Sequence, residues 1–140
     1  MTAPERTLLP GNRTRLAAGG GSFEFSPLRD NVLHVTISGE DLGQFGYAAL
    51  DEIGLALLRK PPLELFIDAE QATSVSVEVS RQWTQFFSTN RKQLKRVSVL
   101  TGSKLVNLTV AIAQHLSQTG NLIQIYSDRT LFDKMVADSR

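Results

Sequence analysis

Asp68 and Glu70 are the residues whose type and spacing come closest to acid–base chemistry. They close the apolar run Leu63, Leu65, Phe66 and Ile67, and carboxylates at the end of a buried strand can hold or pass a proton. Asp68 can equally cap its own turn through its side chain, and one carboxylate pair in an acidic stretch names no reaction. A second group, Thr101-Gly102-Ser103-Lys104, lies between an expected strand and an expected helix. Backbone N–H groups at Gly102 and Ser103, with the Lys104 ammonium, could hold an anion such as a phosphate or a lipid headgroup. The full phosphate-loop spacing is missing, so nucleotide hydrolysis is unsupported, and Ser103 also reads as a plain helix N-cap. The two histidines, His34 and His115, have neither a carboxylate nor a second His at ligand spacing and read as structural or surface residues. With no cysteine in the chain, disulfides, thiolate nucleophiles and thiolate metal sites are excluded. The expectation is a protein with no catalytic residues, no metal and no cofactor.

Charge is balanced overall, at +1, but unevenly distributed. Residues 40–78 hold eight acids (Glu40, Asp41, Asp51, Glu52, Glu64, Asp68, Glu70, Glu78) against Arg59 and Lys60. Residues 79–127 hold no acid and six bases (Arg81, Arg91, Lys92, Lys95, Arg96, Lys104). Solvated helix faces of different sign account for this; a bipolar surface suited to head-to-tail association or to a charged partner is the sharper alternative. The Arg91–Arg96 cluster fits complementation of a helix C-terminus. Nucleic-acid readout would also need exposed aromatics, and Trp83, Phe86 and Phe87 follow core spacing. DNA binding is therefore not expected.

These residues need a scaffold, and 140 residues with 41% hydrophobic content are enough for one self-sufficient core. Residues 1–21 are rich in Gly, Pro, Ala, Thr and Arg and end in Gly19-Gly20-Gly21, which reads as a flexible tail. The domain proper is expected over residues 22–140. Ser22–Ser26 and Val32–Ser38 read as an antiparallel hairpin. Phe45–Arg59 reads as a helix stopped by Pro61-Pro62, and Leu63–Ile67 as a buried strand followed by a polar loop to Ser76. A helix over Ser76–Lys92, a strand over Arg96–Leu100, a helix over Ser103–Ser117, a strand over Leu122–Tyr126 and a helix over Asp128–Ala137 complete the chain. In the last helix Leu131, Met135 and Val136 are expected to face inward. The order ββαβαβαβα implies an α/β fold: a mixed, mostly parallel sheet of about five strands with four helices. No stretch approaches a membrane span and no secretory leader is evident, so a cytoplasmic protein is the default expectation.

This order, with the segments FIDAEQATSVSVEVS and VSVLTGSKLVNLTV, resembles the STAS domain of bacterial anti-sigma-factor antagonists over about residues 22–138. The resemblance implies a regulatory module whose third strand leads into a turn of Asp, two hydroxyl residues and a glycine. A Ser or Thr there is phosphorylated by a partner kinase. Aligned from Ile67-Asp68, those positions fall at Ser76, Val77, Glu78 and Val79, so the switch motif is not intact. Ser74 or Ser76 would serve if the loop is slipped by a residue or two, and a phosphate at Ser76 would sit favourably at a helix N-terminus. As an N-cap alone, Ser76 contributes ~1 kcal/mol.

The resulting expectation is a non-enzymatic STAS-like regulatory or scaffolding module acting by protein–protein contact, with a regulator or kinase-like protein as partner and with self-association as a further option. Its contact surface is expected around Asp68, Glu70, Thr73, Glu78 and Arg81. Ser74 and Ser76 are the phosphorylation or cap candidates, and Gly102, Ser103 and Lys104 the anion-binding candidates. The alternative is a small-ligand or lipid carrier. The helix Ser103–Ser117 is apolar on more than one face, and Phe45, Tyr47 and Leu50 add apolar surface that could meet a helix, a subunit or an acyl chain.

Overall fold

A computed structural model describes residues 3–59, 61–102 and 122–139. Seven strands form one sheet in simple sequence order. They are β1 (Glu5–Leu9), β2 (Arg13–Ala18), β3 (Gly21–Arg29), β4 (Val32–Asp41), β5 (Leu63–Val75), β6 (Leu94–Thr101) and β7 (Ile123–Tyr126). β1 to β4 form an antiparallel meander, and β4 to β7 pair in parallel. Helix α1 (Ala48–Arg59) connects β4 to β5, α2 (Val77–Thr89) runs between β5 and β6, and α3 (Arg129–Asp138) follows β7. The expected hairpin, the three later strands and these three helices are present. The expected helix Ser103–Ser117 and His115 lie outside the described residues.

Period-2 alternation in the strands builds two cores on opposite faces of the sheet. On one face, Phe23, Val35, Leu65 and Ile67 meet Ile53 and Leu57 of α1 and Val79, Trp83 and Phe87 of α2. On the other, Val32, Phe66 and Leu100 surround Phe132 of α3. Phe132 is fully buried while Leu131 is 47% exposed. The inward face of α3 is thus Phe132 with half-buried Met135 and Val136, one position off the expected Leu131 register.

Two segments depart from expectation. Within the expected tail, β1 and β2 form a hairpin that extends the sheet beyond β3. The pattern was hidden because β1 is exposed along almost its whole length and only Thr14 and Leu16 of β2 are buried. The bidentate ion pair from Arg6 to Glu52 fastens β1 to α1. The glycines that looked like a tether are a close backbone approach. A Cβ on Gly39, which has φ 76°, would lie 2.0 Å from the Gly20 carbonyl oxygen.

The second departure is β5. It continues through the supposed polar loop as far as Val75, paired with Ser38 to Asp41 of β4. Register shifts against β4 between Thr36 and Ser38 and between Gly39 and Glu40 each put one extra residue into β5. Each such bulge resets which face a side chain takes. Ile67, Ala69, Ala72 and Val75 therefore all turn toward α1 and α2, a spacing that no uninterrupted strand produces. The sheet accordingly has more strands, and the described chain fewer helices, than the sequence implied.

Candidate functional site

Because β4 to β7 are parallel, their carboxyl ends share one end of the sheet, where α/β proteins place their working residues. Two clusters lie there, one on each face.

The first is a charge cluster on the α3 face. α3 starts just beyond β7 and is capped by Asp128, which accepts from the Thr130 and Leu131 N–H groups at 2.9 and 3.3 Å. Arg129 in the first helical turn reaches across to β5. Its guanidinium donates to Asp68 at 2.9 Å, to Glu70 at 2.9 and 3.1 Å and to Asp133 at 3.2 Å. A cation at a helix N-terminus opposes the helix dipole, and here carboxylates surround it. The hydrogen bonds it donates to Glu70 hold the Arg129 pKa above its ordinary value; burial opposes this rise and the bond to Asp68 adds to it. Asp68 is buried and also accepts from the Glu70 N–H at 3.3 Å, within its own strand. His34 of β4 lies beside the cluster, its ring 6.2 Å from that of Phe132. Burial lowers its pKa, Asp68 opposes that shift and Arg129 adds to it. His34 is therefore neutral at pH 7, half-buried against α3. The arrangement ties α3 to the sheet. It leaves neither Asp68 nor Glu70 without a cation, and so provides no acid–base pair poised for a substrate.

The second cluster is an apex formed by the loop after β4 and the start of α2. The Ser76 N–H donates to the Asp41 carbonyl at 3.1 Å, so the chain leaves β4 and β5 side by side. Asp41 is buried, and its Oδ1 accepts from the Gly43 N–H at 3.1 Å. Burial raises its pKa and that hydrogen bond partly offsets the rise. Gln44 braces the loop by donating to the Ala18 and Glu40 carbonyls, while Phe45 packs edge-on to Phe23 with centroids 4.8 Å apart. This folds Phe45 inward and leaves Leu42 56% and Tyr47 62% exposed. Across from them, Ser76 caps α2 by accepting from the Val79 N–H at 3.2 Å, and Val77 stands out, 69% exposed.

The residues singled out from the sequence divide between these clusters. Asp68 and Glu70 belong to the α3 clamp, not to an exposed loop. Thr73 is exposed and Ser74 half-buried on β5, Ser74 opposite Glu40. Glu78 and Arg81 are exposed on the first turn of α2, 4.0 Å apart. Gly102 follows β6, packed so closely that a Cβ would lie 3.1 Å from the Glu70 carbonyl oxygen; Ser103 and Lys104 lie outside the described residues. Phe45 and Leu50 are core residues, whereas Tyr47 is surface. Sequence reasoning missed Arg129, Asp133, Leu42 and Val77. The i,i+4 spacing of Arg129 and Asp133 after a capping Asp128 was the available signal for the clamp. An isolated exposed Leu or Val carries no signal at all.

This sheet, an antiparallel meander continued by parallel strands with helices on both faces, shares its fold with solved structures. An uncharacterized protein of the DUF3478 family from Shewanella loihica PV-4, with a SpoIIAA-like fold, superposes with a TM-score of 0.56 at 16% identity, covering 85% of this chain and 97% of that one. An anti-sigma factor antagonist from Mycobacterium paratuberculosis superposes with a TM-score of 0.57 at 16% identity, covering 94% of this chain and all of the other. No family model and no curated protein matches the sequence. Among the described residues, no helix is long and apolar enough to cross a membrane.

Proposed function

We propose that the chain is a STAS-type regulatory protein that acts through protein–protein contact rather than catalysis, and that it docks its partner at the apex. The observation carrying this reading is the exposure of Leu42, Tyr47 and Val77 at the carboxyl end of the sheet, beside the capped start of α2. Exposed apolar groups at one rigid end of a fold mark contact surfaces. Val77 and Glu78 stand where the resemblance would put hydroxyl groups, and Ser76 spends its oxygen on the helix cap. The docking face is therefore constitutive, or controlled by something other than phosphorylation at those positions.

The test is photo-crosslinking in the native cell. A photoreactive residue at Val77 is expected to capture one discrete protein, and Leu42→Asp in the same chain is expected to abolish the capture. Equal capture of that same partner by a probe at exposed Lys95, at the opposite end of the sheet, would contradict the reading.

The carrier alternative rests on an apolar cavity between α2 and the sheet, lined by residues including Ile37, Ala69, Val75, Trp83 and Val99. Its volume is about 40 Å³, against roughly 300–1,000 Å³ for sites that enclose small molecules. An acyl chain does not fit without displacing α2. Mass spectrometry of the purified protein for co-purifying lipid checks this directly.

A further inference from the structure

The two ends of the sheet are opposite in charge and alike in apolar exposure. The carboxyl end carries the apex residues Leu42, Tyr47 and Val77, which are 56%, 62% and 69% exposed. Among the described residues, exposed Glu40 and Glu78 flank them, and exposed Glu5, Asp51 and Asp128 lie at the same end, against the exposed bases Arg81 and Arg6, the latter paired with Glu52. The amino end carries three exposed leucines of its own. Leu8 is the last but one residue of β1, Leu28 the last but one of β3, and Leu58 lies in the last turn of α1, at 72%, 42% and 80% exposure. Around them stand exposed Arg29, Arg59, Lys92 and Lys95, against the acids Asp30 and Asp138. The topology produces this sorting. α1 and α2 both start at the carboxyl end and finish at the amino end, and bases gather at their C-termini, where the dipole favours them.

We propose that these ends are complementary surfaces, and that a second copy of this chain docks its basic amino end onto the acidic apex of the first. Both surfaces combine exposed apolar side chains with charges of opposite sign, the two ingredients of a protein contact. The contact is heterologous, because each copy offers one surface of each kind. Association is therefore open-ended, adding copies along the strand direction, rather than stopping at a symmetric pair. Rim charges set its salt sensitivity, since screening acts within ~8 Å at physiological ionic strength. The inference goes beyond the regulatory reading, because the apex would then serve a partner and a second copy in competition.

Sedimentation of the purified chain alone tests it, so its failure leaves the crosslinking test of the partner reading intact. For the unsubstituted chain the average mass is expected to rise with concentration past that of a dimer, and to fall when salt is added. Two surface variants sharpen the result: L42D/V77D spoils the apex, and K92E/K95E spoils the amino end, so that both spoiled surfaces are acidic and do not attract each other. Each alone is expected to associate at least tenfold more weakly while keeping the circular dichroism of the parent. Mixed in equal amounts, they retain one intact apex and one intact amino end between them, and are expected to pair and stop at two. A chain that stays monomeric at all concentrations overturns the proposal. So does a mass that levels off at a dimer in the unsubstituted chain, or a mixture no larger than its separate components.

Discussion

Replacing Arg129 with Met removes the clamp between α3 and β5 while keeping an apolar stem of similar length. The guanidinium lies within hydrogen-bonding distance of Asp68 and Glu70, at 2.8 and 2.9 Å. The Asp68 side chain is 10% exposed and would stay behind with its charge unmatched, whereas Arg129 itself is 40% exposed. Removing one partner of a fully buried pair costs about 3–5 kcal/mol, and a fully exposed pair contributes about 0–1 kcal/mol. A pair with one buried member falls between these limits, at about 2 kcal/mol. At this chain length that loss corresponds to a melting temperature lower by about 7 °C, measured by circular dichroism at neutral pH. The cost arises from a stranded carboxylate, so adding Asp68→Asn should restore about half of it. The double variant should be more stable than the sum of the single changes predicts by about 1 kcal/mol. A melting temperature unchanged by Arg129→Met, or strict additivity in the double variant, would refute the reasoning.

Ser76→Ala should cost about 1 kcal/mol through loss of the α2 cap, with Ser76→Asp close to the parent, both read from denaturant midpoints. Gly39→Ala should be far more damaging, at least about 3 kcal/mol, because the new Cβ meets the Gly20 carbonyl at 2.0 Å on a backbone with φ 76° that disfavours any side chain; limited proteolysis of the β1–β4 meander would report it. Asp41→Asn should stabilise at neutral pH. The folded-state pKa of Asp41 is raised above its ordinary 3.8 by burial, so ionising it weakens the fold as pH rises through that raised value. The advantage of Asn should shrink as pH falls toward 3.8, followed in melts across that range, and an advantage independent of pH would contradict the assignment.

Among the described residues, the order of elements from Ser22 onward was legible because its signals are local: the turn at Asp30-Asn31, the stop at Pro61-Pro62, the cap at Ser76 and the repeat of Val79, Trp83 and Phe87. What escaped has physical causes. β1 buries almost nothing, and it is held by backbone pairing and one ion pair, neither of which leaves a hydrophobic period. The bulges in β5 change a period of two into the spacing 67, 69, 72, 75, which looks irregular until the register against β4 is known. The charge clamp joins residues 61 apart in sequence, and only the strand order brings them together. The contact region was expected near Asp68 to Arg81. Asp68 and Glu70 are instead bound to Arg129 of α3, and the proposed contact region takes Ser76 to Arg81 together with Leu42 and Tyr47 from the preceding loop.

The central claim is that this end of the sheet is where another protein docks. Hydrogen–deuterium exchange in native-cell extract, compared with purified protein in buffer, measures it on the unaltered chain. The account predicts slower exchange confined to peptides covering 40–48 and 74–81, with no change over 89–95 at the opposite end. Protection confined to 89–95, or no protection over 40–48 and 74–81, would contradict it.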